Sequence, residues 1–221
     1  MRKLLPGLAA LAAAFAFGLW ARPDLPPQVA SHWGINGQPD GWTSRGTLIY
    51  LMPLIGVGVG LLLSVLPRID PRRASYELHS GTWWLLVNAI LVFLAGIHVT
   101  SVGYNLGWPI SIGRVVGIGV GLLLILVGNV MTRMRPNWFM GIRTPWTLSS
   151  DVVWRKTHRV GGYAFVVTGV IAVLASLLRP AWSFYAMVGA AGVSGVGLLV
   201  YSYLVWKKEQ GAVKAPSEPL P

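Results

Sequence analysis

Four histidines, at positions 32, 79, 98 and 158, are the side chains in this sequence best suited to metal or acid–base chemistry. His32, Asp40 and His98 make up the one set from which three nitrogen and oxygen ligands, the minimum for an open zinc site, would have to be drawn. No two of these residues lie three or four positions apart, so spacing supports no metal, and neither a metal nor another cofactor is expected. The simpler reading has His98 hydrogen-bonded to a neighbouring helix and His32 ordering its loop. Cysteine is absent, which removes thiolate ligands, disulfides and Cys nucleophiles. H-E-x-x-H, G-x-S-x-G, P-loop and Rossmann patterns are also missing. Catalysis is not expected.

Two dense clusters remain. "PPQVASHWGINGQPDGW", 26–42, brings together His32, Trp33, Gly37, Asp40, Gly41 and Trp42 with Asn-Gly and Asp-Gly pairs that signal tight turns. It reads either as a loop folded onto lipid headgroups by its tryptophans or as a recognition surface for an outside ligand. "NWFMGIRTPWTLSSDVVWRKTHR", 137–159, combines Trp138, Trp146 and Trp154 with Arg143, Arg155, Lys156 and Arg159. It reads either as a lipid-anchoring, topology-setting loop or as a dock for an acidic cytoplasmic partner.

The elements that must hold these clusters are set by composition. Of 221 residues, 54% are hydrophobic and 11% charged, against about 25% charged in soluble domains. Six apolar runs, 4–21, 47–67, 81–101, 110–131, 161–178 and 181–206, meet or approach the roughly 20 residues that cross a bilayer. Backbone groups in lipid must bond within their own segment, so the runs are helices. The expected fold is all-α: an integral membrane protein with six transmembrane helices across residues 1–206, then a disordered cytoplasmic tail, 207–221. The first run also resembles a signal peptide with a poor cleavage site at 19–21. Five later spans make a retained anchor the simpler account.

Net charge is +11. In a membrane protein such an excess sets topology before it implies nucleic acid, and no direct nucleic-acid contact is expected. With both termini cytoplasmic, Arg2, Lys3, Arg68, Arg72, Arg73, Arg133, Arg135, Arg143, Arg155, Lys156, Arg159, Lys207, Lys208 and Lys214 lie inside. Only Arg22, Arg45, Arg114 and Arg179 lie outside. That asymmetry makes loop 22–46 exterior and loop 132–160 cytoplasmic.

Ser149 or Ser150 is placed to cap a short amphipathic helix lying along the inner interface. Arg155, Lys156 and Arg159 fall on one face, with Val153, Trp154, Thr157, His158 and Val160 on the other. Small-residue runs at 56–60, 113–121 and 189–197 predict close helix packing. Asn88 and Asn129, the most polar mid-span residues, are expected to bond neighbouring helices. No charged residue sits near mid-span, which argues against ion-coupled transport. The spans also divide into two groups of three, the layout of a carrier built from inverted halves.

The stretch "GIRTPWTLSSDVVWRKTHRVGG", 141–162, is similar to the signature of the SdpI family of bacterial membrane immunity proteins. Gly141, Arg143, Thr144, Pro145, Trp146, Thr147, Leu148, Trp154, Thr157, His158 and Arg159 occupy signature positions. Residues 26–42 resemble an uncharacterised domain often found in the same proteins. The resemblance implies a multi-pass protein of the bacterial plasma membrane that protects its cell from a secreted toxic peptide. It also implies relay of that signal, by holding a transcriptional repressor at the inner face. The exterior partner would meet His32, Trp33, Gly37, Asp40, Gly41 and Trp42. The cytoplasmic partner would meet Gly141, Arg143, Thr144, Pro145, Trp146, Thr147, Trp154, His158 and Arg159. Membrane lipid is the remaining partner. The alternative is a small permease or flippase-like carrier.

Overall fold

Six helices in the computed structural model, which describes residues 2–214, are long and apolar enough to cross a membrane. They are α1 (Leu5–Ala21, after a 3-10 turn at Arg2–Leu4), α2 (Arg45–Ile69), α4 (Ser80–Asn105), α5 (Ile112–Val130), α7 (Asp151–Leu178) and α8 (Pro180–Lys214). Two five-residue helices, α3 (Ala74–Leu78) and α6 (Pro145–Ser149), lie in the connections. The runs read from the sequence find their helices. α7, however, starts ten residues before its apolar run, and α8 continues through 207–214, where disorder was expected. The remainder of the tail lies outside the described residues.

The spans form two groups. α1 packs on α2 and α4, α7 packs on α5 and α8, and the groups meet where α4 contacts α5. Asn88 ties the first group as anticipated: Gly7 N–H donates to its Oδ1 at 2.8 Å, and its Nδ2 donates to Lys3 O at 2.8 Å. In the second group, α5 and α7 approach backbone to backbone. A Cβ on Gly128 would stand 2.6 Å from Gly162 O, and one on Gly121 would stand 2.7 Å from Gly169 O.

Two expectations are corrected. Asn129 donates to Ile125 O of its own helix rather than to a neighbour, which satisfies its amide locally on an exposed face. His98 is fully buried against the neighbouring α1, with a Cβ on Gly18 falling 2.8 Å from its Nε2. The small-residue run of α8 does not close a helix seam: Gly189, Gly192, Gly195 and Gly197 have nothing within 4 Å of an added Cβ. Its Ser194 does meet α7, Oγ to Thr168 Oγ1 at 2.9 Å.

The loop after α1 is a two-stranded antiparallel hairpin, β1 (Gln28–Trp33) and β2 (Pro39–Ser44), the one sheet among the described residues. Gly37, at φ +77°, makes the reversal that Asn36-Gly37 signalled. Ser44 ends the hairpin and caps α2, accepting from Thr47 N–H at 3.0 Å. At the end of α4, Asn105 acts as a surrogate strand: Ala30 N–H donates to its Oδ1 at 2.7 Å, and its Nδ2 donates to Ala30 O at 2.9 Å. Val29 and Ala30 are consequently fully buried.

Candidate functional site

The loop between α5 and α7 is a folded unit held at four points. The first is Asp70, the residue that follows α2 and is 3% exposed. Its Oδ2 accepts from Trp138 N–H at 2.8 Å and from Tyr76 O–H at 2.9 Å, and its Oδ1 accepts from Arg72 N–H at 2.7 Å. A buried carboxylate is tolerated because these donors replace water. Burial, and secondarily the Asp70 carboxylate, push the Tyr76 phenol far above its usual range, so it stays a donor.

Asn137, wholly buried, is the second point. Its Oδ1 accepts from Phe139 N–H at 2.9 Å and Met140 N–H at 2.7 Å, with the Tyr76 hydroxyl 3.2 Å away. It folds the chain over itself and presents Gly141.

Third comes His158, about two turns into α7. Its Nδ1–H donates to Trp154 O at 2.9 Å, which leaves Nε2 as an acceptor for Ile142 N–H at 3.0 Å. Both contacts are made only by the neutral ring, so the bonding selects the tautomer. The ring stacks on Trp154 with centroids 3.9 Å apart, and Trp154 Nε1–H donates to Met134 O at 2.9 Å. Gly141 has φ +106°, and an added Cβ would collide with His158 Nε2. Glycine is required there twice, by conformation and by space.

The fourth point is a reciprocal cap. Thr144 N–H donates to Thr147 Oγ1 at 2.8 Å while Thr147 N–H donates to Thr144 Oγ1 at 3.2 Å, and Pro145 takes the first helical position of α6. Ser150, one of the two residues anticipated, caps α7 by accepting from Val153 N–H at 3.3 Å.

α8 grips this unit from the side. Thr144 Oγ1 donates to Ser202 Oγ at 3.2 Å, Ser150 Oγ donates to Glu209 Oε2 at 2.7 Å, and Trp146 packs edge-on against Tyr203 at 5.2 Å. Near its other end, Phe184 and Tyr185 help line an open groove of about 1,100 Å³ with His32, Trp33 and Asp40 of the hairpin and with Ser111 and Val116 by α5. At 1.5 Å per residue, Phe184 and Tyr203 are roughly 28 Å apart along α8. Groove and signature loop therefore lie at opposite ends of the spans.

The candidate residues sort accordingly. His32, Trp33, Gly37 and Asp40 meet at the groove, where His32 Nδ1 and Asp40 Oδ1 are 2.5 Å apart. Gly41 faces His32 across the strands, and Trp42 is 62% exposed away from the groove lining. The structure does not join His98 to this pair, since it is enclosed within the first helix group. On the other side, Thr144, Thr147, Trp154 and His158 are buried framework, while Arg143, Pro145 and Arg159 are exposed and Trp146 half-buried. The apolar face expected along the interface packs into the protein instead, except Val160, which is exposed. Arg143 Nη1–H donates to Trp138 O at 2.5 Å, closing the loop on itself.

Asp70, Tyr76, Asn137 and Asn105 were not anticipated. Asp70 carried one signal, as the lone acid among Arg68, Arg72 and Arg73 at a span's end.

Comparison with known proteins finds matches over both regions. The model of the SdpI/YfhL protein family matches residues 133–202, which run from the signature loop through α7 to the part of α8 that grips it. The protein "Immunity protein SdpI" of Bacillus subtilis is 27% identical over 188 residues, covering 85% of this chain and 88% of that one. Over these residues the chain is similar to the SdpI family. With six helices able to cross a membrane, the chain is a multi-pass membrane protein similar to an immunity protein. A domain of unknown function (DUF1648) matches residues 9–57, which take in the hairpin. A probable glucose transporter of Neurospora crassa is 30% identical over 106 residues, 48% of this chain but 16% of that protein. No solved structure matches the chain.

Proposed function

We propose that this SdpI-like protein protects a bacterium from a secreted toxic peptide, and that peptide engagement is relayed through α8 to a transcriptional repressor held at the inner face. The observation that carries it is the reach of α8, which lines the groove at Phe184 and Tyr185 and grips the signature loop at Ser202, Tyr203 and Glu209. A groove of about 1,100 Å³ exceeds the usual size of a small-molecule pocket and suits an extended peptide. It is walled by the hairpin of one helix group and by helices of the other, so an occupant contacts both.

The face of α8 that carries Gly189, Gly192, Gly195 and Gly197 meets no neighbour, so on that side nothing blocks a shift of the helix. A peptide that binds one position of α8 better than another changes the signature loop by that difference in affinity. The basic excess around the loop supports a cytoplasmic position for it at the plasma membrane, with both termini on that side. Arg143, Pro145, Trp146 and Arg159 are then the surface offered to the repressor.

The test is survival. Cells lacking the chain are exposed to spent medium from the same bacterium and compared with the parent. Sensitisation is expected, reversed by the wild-type gene but not by Trp33→Ala/Phe184→Ala protein that inserts normally; equal survival of mutant and parent refutes the protective role. A carrier, which the two three-helix groups and the partial likeness to a transporter would favour, predicts instead solute flux into proteoliposomes that the same substitutions reduce.

A further inference from the structure

A second cavity, of about 650 Å³, opens beside the signature loop between α3, the turn at 132–136 and the first turns of α7. Arg72, Arg135, Arg155 and Arg159 line it, against the single carboxylate of Asp151. Trp154, 1% exposed and stacked on the neutral His158, also lines it, so the aromatic surface adds no compensating charge. Arg72 Nη1 stands 3.8 Å from Asp151 Oδ1. Among the described residues Arg135, Arg155 and Arg159 make no ion pair. Topology alone requires positive charge somewhere on this side; it does not require four guanidinium groups around one hollow, where they repel each other.

Four features say what would neutralise them. Guanidinium forks match the oxygen geometry of phosphate and bind it through paired, charge-assisted hydrogen bonds. Arg72 is already oriented, its Nη2 donating to Leu148 O at 3.0 Å. The cavity is lined just past the end of α5 at Val130 and by α7 residues two to ten positions before the apolar run of that helix, the region where lipid headgroups meet helix ends. Leu78 on its rim is 74% exposed and offers an apolar contact beside the charges.

The geometry points to a binding site for a phosphate-bearing anion on Arg72, Arg135, Arg155 and Arg159, with an anionic phospholipid headgroup as the occupant its depth favours. Free phosphate shares the recognising chemistry. The site is separate from the hairpin groove and does not depend on a peptide being sensed there.

To test it, full-length protein in mild detergent is titrated with dioctanoyl phosphatidylglycerol or dioctanoyl phosphatidylcholine, and bound lipid is counted by native mass spectrometry. One phosphatidylglycerol per chain is expected, held about tenfold or more tightly than phosphatidylcholine, as one or two charge-assisted hydrogen bonds would give. Arg135→Gln/Arg159→Gln should lose that preference. Arg22→Gln/Arg114→Gln, which removes the same charge from the other end of the spans, should keep it. Displacement of the lipid by millimolar inorganic phosphate assigns the site to the free anion, and persistence of the lipid assigns it to the headgroup. Equal retention of the two lipids, or equal losses in both double variants, overturns the proposal.

Discussion

His158 Nε2 accepts the backbone N–H of Ile142 at 3.0 Å, and the space that allows it is the missing side chain of Gly141. One helix residue and one loop glycine thus define each other, which is why both belong to a single sequence signature. Gly141→Ala should cost about 1–3 kcal/mol from backbone strain alone, with a further loss as Ile142 N–H is displaced from its acceptor. Thermal unfolding in detergent measures the sum. In the His158→Ala background the steric part should vanish, so the two substitutions should be less than additive; strict additivity would mean that they do not share this contact.

Asp70→Asn tests the anchor of the loop. The carboxylate meets only donors, and an amide must turn its own N–H₂ toward at least one of them. A loss of about 1.5–3 kcal/mol is expected for hydrogen bonds to a charged group. Protease cleavage around 136–143 should rise in parallel while the spans stay inserted. An unchanged cleavage pattern would show that Asp70 does not hold the loop.

Tyr76 supplies a pH dependence. Its phenol is raised above the ordinary value of 10.0 by burial and by Asp70, so the protonated form is favoured in the fold. Its contribution is complete below pH 10 and falls as pH climbs toward the raised value. Wild-type protein should lose thermal stability above pH 10 more steeply than Tyr76→Phe, the difference between the two curves isolating this group. Parallel curves would remove the role.

The glycines of α5 and α8 should behave oppositely. Gly128→Ala places a methyl group against Gly162 O and should separate α5 from α7, with a loss in the 1–3 kcal/mol range of overpacked cores. Gly192→Ala meets nothing within 4 Å and should leave stability level or slightly improved. Melting curves of the two variants give the comparison directly.

Orientation is open to direct labelling, because the chain has no cysteine of its own. Single substitutions Ile35→Cys and Arg143→Cys each report one end of the spans. A membrane-impermeant maleimide applied to intact cells should label position 35 and spare 143. The reverse pattern would exchange the sensing and relaying ends.

Local sequence carried a large part of this molecule. Apolar run length determined the six helices, since a bilayer demands about twenty residues of internally bonded backbone. Ser150 and Asn36-Gly37 announced a cap and a reversal through chemistry confined to a few neighbours. The same 3.6-residue periodicity put Val153, Trp154, Thr157 and His158 on one face of α7, opposite Arg155, Lys156 and Arg159.

What covers that face was decided elsewhere. Periodicity states that a side chain is sheltered but not by what, so Trp154 and His158 were equally compatible with lipid. Met134 and Ile142, brought back by the Asp70 and Asn137 anchors, are what bury them. The grip of Ser202 and Glu209 on the loop, and the Asn105 clamp on the hairpin, join residues 58 to 75 positions apart. Such pairings depend on how helices stack, a property of the assembled bundle that no local stretch of chain encodes.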